Sequence, residues 1–239
     1  ILLPSAAVWY ATSTEAGLRT VIRLLNGKVG PVTMTITGAQ GTFAGGFRVE
    51  HFRLLHERVE VRADGISGHV SVLPLLWATI KSGDGHIDSA YVHVLPHAAT
   101  GKPLTKFMPR FLAVVVEAGR VDAATLIIPN GRRFDGTGLK ASGALRSQDM
   151  RFHDVSFHMG DLAVEAGGLL TAREPMALSG ESRWTWTSPG QPVWLTTADF
   201  DGDLAKLEIH SLFTRPFRAE FHGAALDLTH DWHWEGKAR

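Results

Sequence analysis

The 239-residue sequence predicts a mainly β protein, an antiparallel meander with one helix near residues 12–26 and a short one near 72–80. Two observations carry this reading. From about residue 29, apolar residues recur at every second position almost to the end of the chain, the mark of strands buried on one face. The breaks between them are turn residues, recurring every eight to fifteen positions, too close together for crossover helices between most strands.

Taken in order, residues 1–10 (ILLPSAAVWY) are apolar and uncharged, too few for a bilayer span of about 20 residues. They read either as the tail of a spanning helix, with Trp9 and Tyr10 at the interface, or as a buried strand or coil. The first residue, Ile1, suggests a piece of something longer, and residues 1–11 are assigned to the tail of a truncated anchor.

Residues 12–27 form the first helix. Thr12 and Glu15 stand in capping-box spacing, and Leu18, Val21, Ile22 and Leu25 fall at i, i+3, i+4 and i+7. Arg19, Arg23 and Asn26 face the other way, and Gly27 supplies the stop. Such a stripe more often caps a core than lies on a membrane surface.

The period then changes to two. Val32, Met34 and Ile36 alternate with Thr33, Thr35 and Thr37, and weaker alternation follows at Phe47–Val49 and Val59–Val61. A short helix is expected at Val72–Ile80, with Pro74 in its first turn. This first β module covers residues 28–96, a linker covers 97–108, and a second module covers 109–239. In the second, Leu139–Leu145 and Leu162–Ala166 alternate weakly. Met176, Leu178, Gly180, Ser182, Trp184 and Trp186 alternate strongly with polar neighbours, as do Phe217, Ala219, Phe221 and Gly223. Turns are expected at Gly41, Gly45-Gly46, Asp64-Gly65, Gly83-Asp84-Gly85, Asn130-Gly131, Asp135-Gly136, Gly167-Gly168, Ser188-Pro189-Gly190 and Asp201-Gly202.

Composition narrows the function classes. At 44% apolar, the chain is not disordered. Its 24 basic and 24 acidic residues balance, which argues against nucleic acid as a partner. The absence of cysteine excludes a disulfide scaffold, a thiolate zinc site and a cysteine nucleophile.

No constellation points to catalysis. His230 and His233 would face apart on a strand, as would His153 and His158 if their strand is unbroken, so neither pair suits a metal. Asp199, Asp201 and Asp203 lack the glycine and glutamate of a calcium loop and read as a turn. No nucleophile elbow, zincin, phosphate-loop or dinucleotide motif is present. A carboxylate pair for glycoside hydrolysis stays open, because such pairs converge in space rather than in sequence. Five of the seven tryptophans fall between residues 184 and 234, suited to core packing, sugar stacking or acyl contact.

The alternation leaves one question. About fifteen one-sided strands must hide their apolar faces, either by closing into a barrel or sandwich or by leaving an open surface for an apolar ligand. The pattern itself does not separate the two, and closure is the commoner outcome.

Ala11–Leu25 (ATSTEAGLRTVIRLL) resembles the junction after the signal anchor in the TamB family, AsmA-like proteins of Gram-negative bacteria. Val29–Ala44 and Phe47–Val61 are similar to the strands that follow there. Ser71–Val94 and the PRFLAVVVEAGRVDAATLIIPNG stretch resemble the next two units. The resemblance rests on patterned alternation, and departs from it at Thr33 and Thr35 and in the extra His51, His56, His93 and His97.

It implies a long sheet curled into an open U-shaped groove, in a periplasmic protein held to the inner membrane by a segment before residue 1. It further implies a non-enzymatic conduit for phospholipid acyl chains, without metal or cofactor, working with a TamA-like outer-membrane partner through other parts of the chain. The groove would be lined by Val32, Met34, Ile36, Val59, Val61, Leu162, Val164, Met176, Leu178, Trp184, Trp186, Phe217 and Phe221. An assembly or chaperone module for outer-membrane proteins is the alternative, and a closed carbohydrate-active or carbohydrate-binding β-sandwich a further one.

Overall fold

The computed structural model describes residues 9–29, 32–57, 59–75, 77–95, 110, 112–172, 176–228 and 233–238. Among these residues two short helices, α1 (Glu15–Leu25) and α2 (Val72–Leu75), and a further helical stretch at 9–13 accompany fifteen strands. The first six are β1 (Gly27–Val29), β2 (Val32–Thr37), β3 (Gln40–Thr42), β4 (Gly46–His56), β5 (Val59–Ser71) and β6 (Thr79–Val94). Then come β7 (Ala113–Ile127), β8 (Arg133–Leu145), β9 (Asp149–Met159), β10 (Leu162–Thr171) and β11 (Ala177–Trp186). The last are β12 (Trp194–Asp203), β13 (Lys206–Arg215), β14 (Ala219–Leu226) and β15 (His233–Ala238).

The strands follow one another in chain order in a single sheet, with β3 set aside as a short partner of β4. That sheet is open: its path runs from β1 to β15 and does not close. Of the two ways to satisfy one-sided strands, the fold takes the open one.

By contacts the chain forms two compact units, residues 1–101 with 114–140, and residues 102–113 with 141–239. The division falls inside β8 at Lys140 and Ala141, rather than at the expected linker, whose residues 97–108 lie outside those described. The expected anchor tail is likewise largely outside them; residues 9–13 are helical, and no described helix is long and apolar enough to cross a membrane.

In the first unit, α1 is capped by Thr14, whose Oγ1 accepts from the Gly17 amide at 2.9 Å. The expected cap, Thr12, sits instead in the preceding helical turn and is buried. Helix α1 packs on β1, β2 and β3. Along its stripe Leu18 is fully buried (0% exposed), Val21 and Ile22 are half-buried, and Leu25 is exposed. At its end Asn26 donates to the Ile36 carbonyl (3.0 Å) and accepts from the Ile36 amide (2.6 Å), substituting for a strand partner on the edge of β2.

Directly paired residues share a face of an antiparallel sheet. Met34 pairs with Leu54, which pairs with Val61, which pairs with Val92; Ile36, Phe52, Ala63 and Ala90 make the next row. Val59 pairs with Val94. The opposite face carries Thr35, Arg53, Arg62 and Tyr91 in one row and Thr37, His51, Asp64 and Ser89 in another. Toward the start of β4 the apolar side changes: Phe47 and Val49 have the parity of His51, and Val49, paired with Ile66, is buried.

Several expected turns lie inside long strands. Asp64-Gly65, Gly83-Asp84-Gly85, Asp135-Gly136, Gly167-Gly168 and Asp201-Gly202 fall within β5, β6, β8, β10 and β12. Glycine in a strand marks a bulge or a close approach as readily as a turn. Gly65 has φ +65°, and a Cβ there would collide with Asp88. Gly167 stands opposite a register shift in β9, where Asp154 has φ +49°. The Asn130-Gly131 and Ser188-Pro189-Gly190 turns form as expected, with Gly131 at φ +80°. The second helix is one turn, Val72–Leu75, and not Val72–Ile80, because Thr79 and Ile80 already belong to β6, where Lys81 pairs with Ser71.

Candidate functional site

The strongest feature of the second unit is the continuity of its apolar face. Register places Phe157, Val164, Trp184, Thr196, Phe213 and Ala219 in one row across β9–β14. On one side of it Met159, Leu162, Trp186 and Trp194 form another row. On the other side, Val155, Ala166, Ser182, Ala198, Ser211 and Phe221 run in parallel, and the last row holds Met150, Leu170, Leu178, Gly202, Leu207, Ala225 and Trp234. The face carries no charged residue in these rows.

Between the last two rows lies a glycine track, Gly168, Gly180, Gly223 and Gly236, interleaved with Phe152, Phe200 and Ile209. Phenyl rings lie over these glycines. A Cβ built on Gly168 or Gly180 would stand 2.7 Å from the Cζ of Phe152 or Phe200, and one on Gly223 or Gly236 would stand 2.5 Å from Phe221 Cζ. Glycine here lets an aromatic side chain lie flat on the neighbouring backbone, which keeps that track low and apolar.

Among the described residues no helix packs across β9–β15. Val164, Leu207 and Ala225 are buried by their neighbours on the sheet, but the largest side chains are not: Trp184 is 41% exposed, Trp186 48% and Trp234 54%. Trp184 Nε1 donates to Ser182 Oγ at 2.8 Å, which holds the indole against its own strand. Trp194 meets Phe217 edge-on, with ring centroids 5.3 Å apart.

Of the groove residues expected from sequence, Val32, Met34, Ile36, Val59 and Val61 belong to the first unit and are half-buried. Leu162, Val164, Leu178, Trp184, Trp186 and Phe221 share the apolar face of the second unit. Two depart from the expected strands. Met176 precedes β11, where its carbonyl accepts from the Leu204 amide, and Phe217 lies in the bend between β13 and β14, 55% exposed.

The other face is charged. Glu165 and Arg183 are directly paired, with side chains 3.6 Å apart, and the next row reads Gly167, Glu181, Asp199, His210, His222 and Lys237. Two hollows, of about 730 and 890 Å³, are lined mainly from this face, the first by Glu165, Glu181, Arg183 and Asp199 and the second by Asp199, His210, His222 and Lys237. In the first unit a hollow of about 450 Å³ is floored by Thr35, Thr37, His51, Arg53, Arg62 and Asp64.

That polar floor is internally balanced. Glu60 is buried and accepts from Arg62 Nε (2.8 Å) and Arg53 Nε (2.8 Å), with Arg53 Nη2 also 2.7 Å away. The Arg62 hydrogen bond holds its carboxyl below the usual value; burial opposes this and Arg53 reinforces it. Asp64 is likewise lowered, first by His51 at 2.7 Å, and Arg62 lies over the Tyr91 ring at 5.4 Å.

The polar candidates resolve individually. His230 lies outside the described residues, and His233 is on β15. The bulge at Asp154 breaks the strand between His153 and His158, so their odd spacing no longer sets them on opposite faces; still, among the described residues they do not join a cluster of close donors. Asp199, Asp201 and Asp203 are not a loop: they share the polar face of β12, and Asp203 accepts from the Ala205 and Lys206 amides at the turn that follows. The sequence reading missed His210 and His222, twelve residues apart, which the β13–β14 register sets directly opposite each other with rings stacked at 4.1 Å. Only the hairpin register could have found them. Comparison of the chain with protein-family models, with curated proteins and with solved structures finds no match.

Proposed function

We propose that the apolar face holds the acyl chains of phospholipids, and that the chain is a non-enzymatic, TamB-like conduit segment working in the periplasm next to the inner membrane. One observation carries this reading: an uncharged face across β9–β15 whose tryptophans stay exposed because no described helix covers them. A large uncovered apolar patch is a binding surface in search of an apolar partner.

The dimensions suit acyl chains. At about 4.8 Å per strand, the six intervals from β9 to β15 extend roughly 29 Å, about twice the ~15 Å depth of one leaflet's hydrocarbon. A sixteen-carbon tail in water costs roughly 12 kcal/mol at ~0.8 kcal/mol per methylene, and contact with such a face removes much of that cost. The absence of net charge fits a surface that carries tails without gripping headgroups.

Photocrosslinking residues placed at Met34, Trp184 and Phe221 test the proposal, with Thr185 and Thr197 on the charged face as controls. Phospholipid captured at the first three and not at the controls is the expected result. Capture of polypeptide alone overturns it in favour of the assembly module.

A further inference from the structure

We propose that His210, Glu220 and His222 form a binding site for a divalent transition metal of the zinc class, on the charged face and independent of lipid binding. The two histidines are a directly paired rung of β13 and β14, with imidazoles stacked at 4.1 Å and only 18° from parallel. Glu220 lies two residues before His222, on the same face of β14. The donor atoms of all three lie within 4.8 Å of one another.

Two imidazoles and a carboxylate are a donor set that suits zinc, nickel or copper rather than calcium or magnesium. In tetrahedral zinc, with Zn–N of about 2.0–2.1 Å, neighbouring ligand atoms stand about 3.3 Å apart. The observed spread is wider than that, so a metal must turn the two imidazoles out of their stack toward a common point, which the exposure of all three side chains allows. The backbone need not move, because the hairpin register already sets the two imidazoles side by side. Three protein ligands leave one position for water. Lys237 pairs with His222 from β15, and the rung opens into the hollow of about 890 Å³. The existing partner of Glu220, Arg218, stands at 4.0 Å, a long exposed ion pair that a metal displaces.

A second cluster, His86, Asp88 and Asp122, sharpens the choice by contrast. It offers one imidazole, already 3.0 Å from Asp122 and 3.9 Å from Asp88, and so reads as an ion-pair set with mostly hard oxygen donors.

Equilibrium dialysis of the 239-residue chain against Zn²⁺, read by elemental analysis, is the test. The expected result is one tightly held equivalent. Affinity should fall by more than about tenfold in His210→Gln and in His222→Gln, a loss that even outer-sphere partners of a bound metal produce when removed. His86→Gln should leave it unchanged. Zinc should also protect His210 and His222 of the unaltered chain from diethylpyrocarbonate, mapped by mass spectrometry, which needs no variant to fold. No bound zinc, or zinc retained in a folded His210→Gln/His222→Gln chain, or protection absent at these two residues, overturns the proposal.

Discussion

Replacing Trp184 and Trp186 together by serine should weaken acyl-chain binding by one and a half to two orders of magnitude. The indoles are 41% and 48% exposed, and a tryptophan presents up to about 250 Å², so about 100 and 120 Å² stand available to a ligand. At about 25 cal/mol per Å² of apolar surface removed from water, full coverage is worth about 5.5 kcal/mol. A chain lying along the sheet covers roughly half of it, leaving about 2.5 kcal/mol, or on the order of fifty- to a hundredfold in affinity. Displacement of a dansyl-labelled fatty acid by phospholipid measures this without relying on tryptophan fluorescence. Arg183→Gln, on the charged face of the same strand, is the control and should bind as the parent does. Binding by the double variant within about twofold of the parent, with an unchanged circular-dichroism spectrum, would refute the assignment of acyl chains to this face.

Three further outcomes follow from the packing and charges. Leu18→Ala removes the one large side chain that is fully buried among the described residues and should cost about 2–5 kcal/mol in urea unfolding; a loss under half a kilocalorie would mean that α1 does not hold to β1–β3. Glu60→Gln weakens two charge-assisted hydrogen bonds to arginines whose side chains are over half exposed, and should cost about 1–2 kcal/mol at neutral pH. Because the folded chain lowers this carboxyl below its ordinary 4.5, its stabilisation is complete above that value and is lost as pH falls through the folded pKa. Parent and variant should therefore converge in acid, and a difference that persists at low pH would contradict the ion pair. Gly180→Ala drives a methyl into the Gly167 carbonyl and to 2.7 Å from Phe200 Cζ, so the neighbouring strand and the ring must both shift; thermal unfolding should fall by the equivalent of about 1–3 kcal/mol, while Ser179→Ala stays near neutral.

The helix from 15 to 25 and the strands at 32–37, 162–171 and 177–186 were legible because a single face of each is apolar, and periodicity reports that directly. The glycines were misread for the opposite reason. Gly65, Gly85 and Gly168 carry the same letters in a turn, a bulge or a seat for an aromatic ring, and only the neighbouring strand decides which. Thr12 was the expected cap, and Thr14 takes that role because the preceding turn is itself helical.

Alternation along the chain thus indicated strands that are each apolar on one side, since period two is local and needs no partner. Closure could not be read that way, because barrel, sandwich and open sheet bury the same alternating residues against different things. Register was equally hidden: pairing is made between strands, so the rows that join Val164 to Trp184, or His210 to His222, exist only once the hairpins set the offset. The tertiary structure supplied both, and with them the open apolar face and the histidine rung behind it.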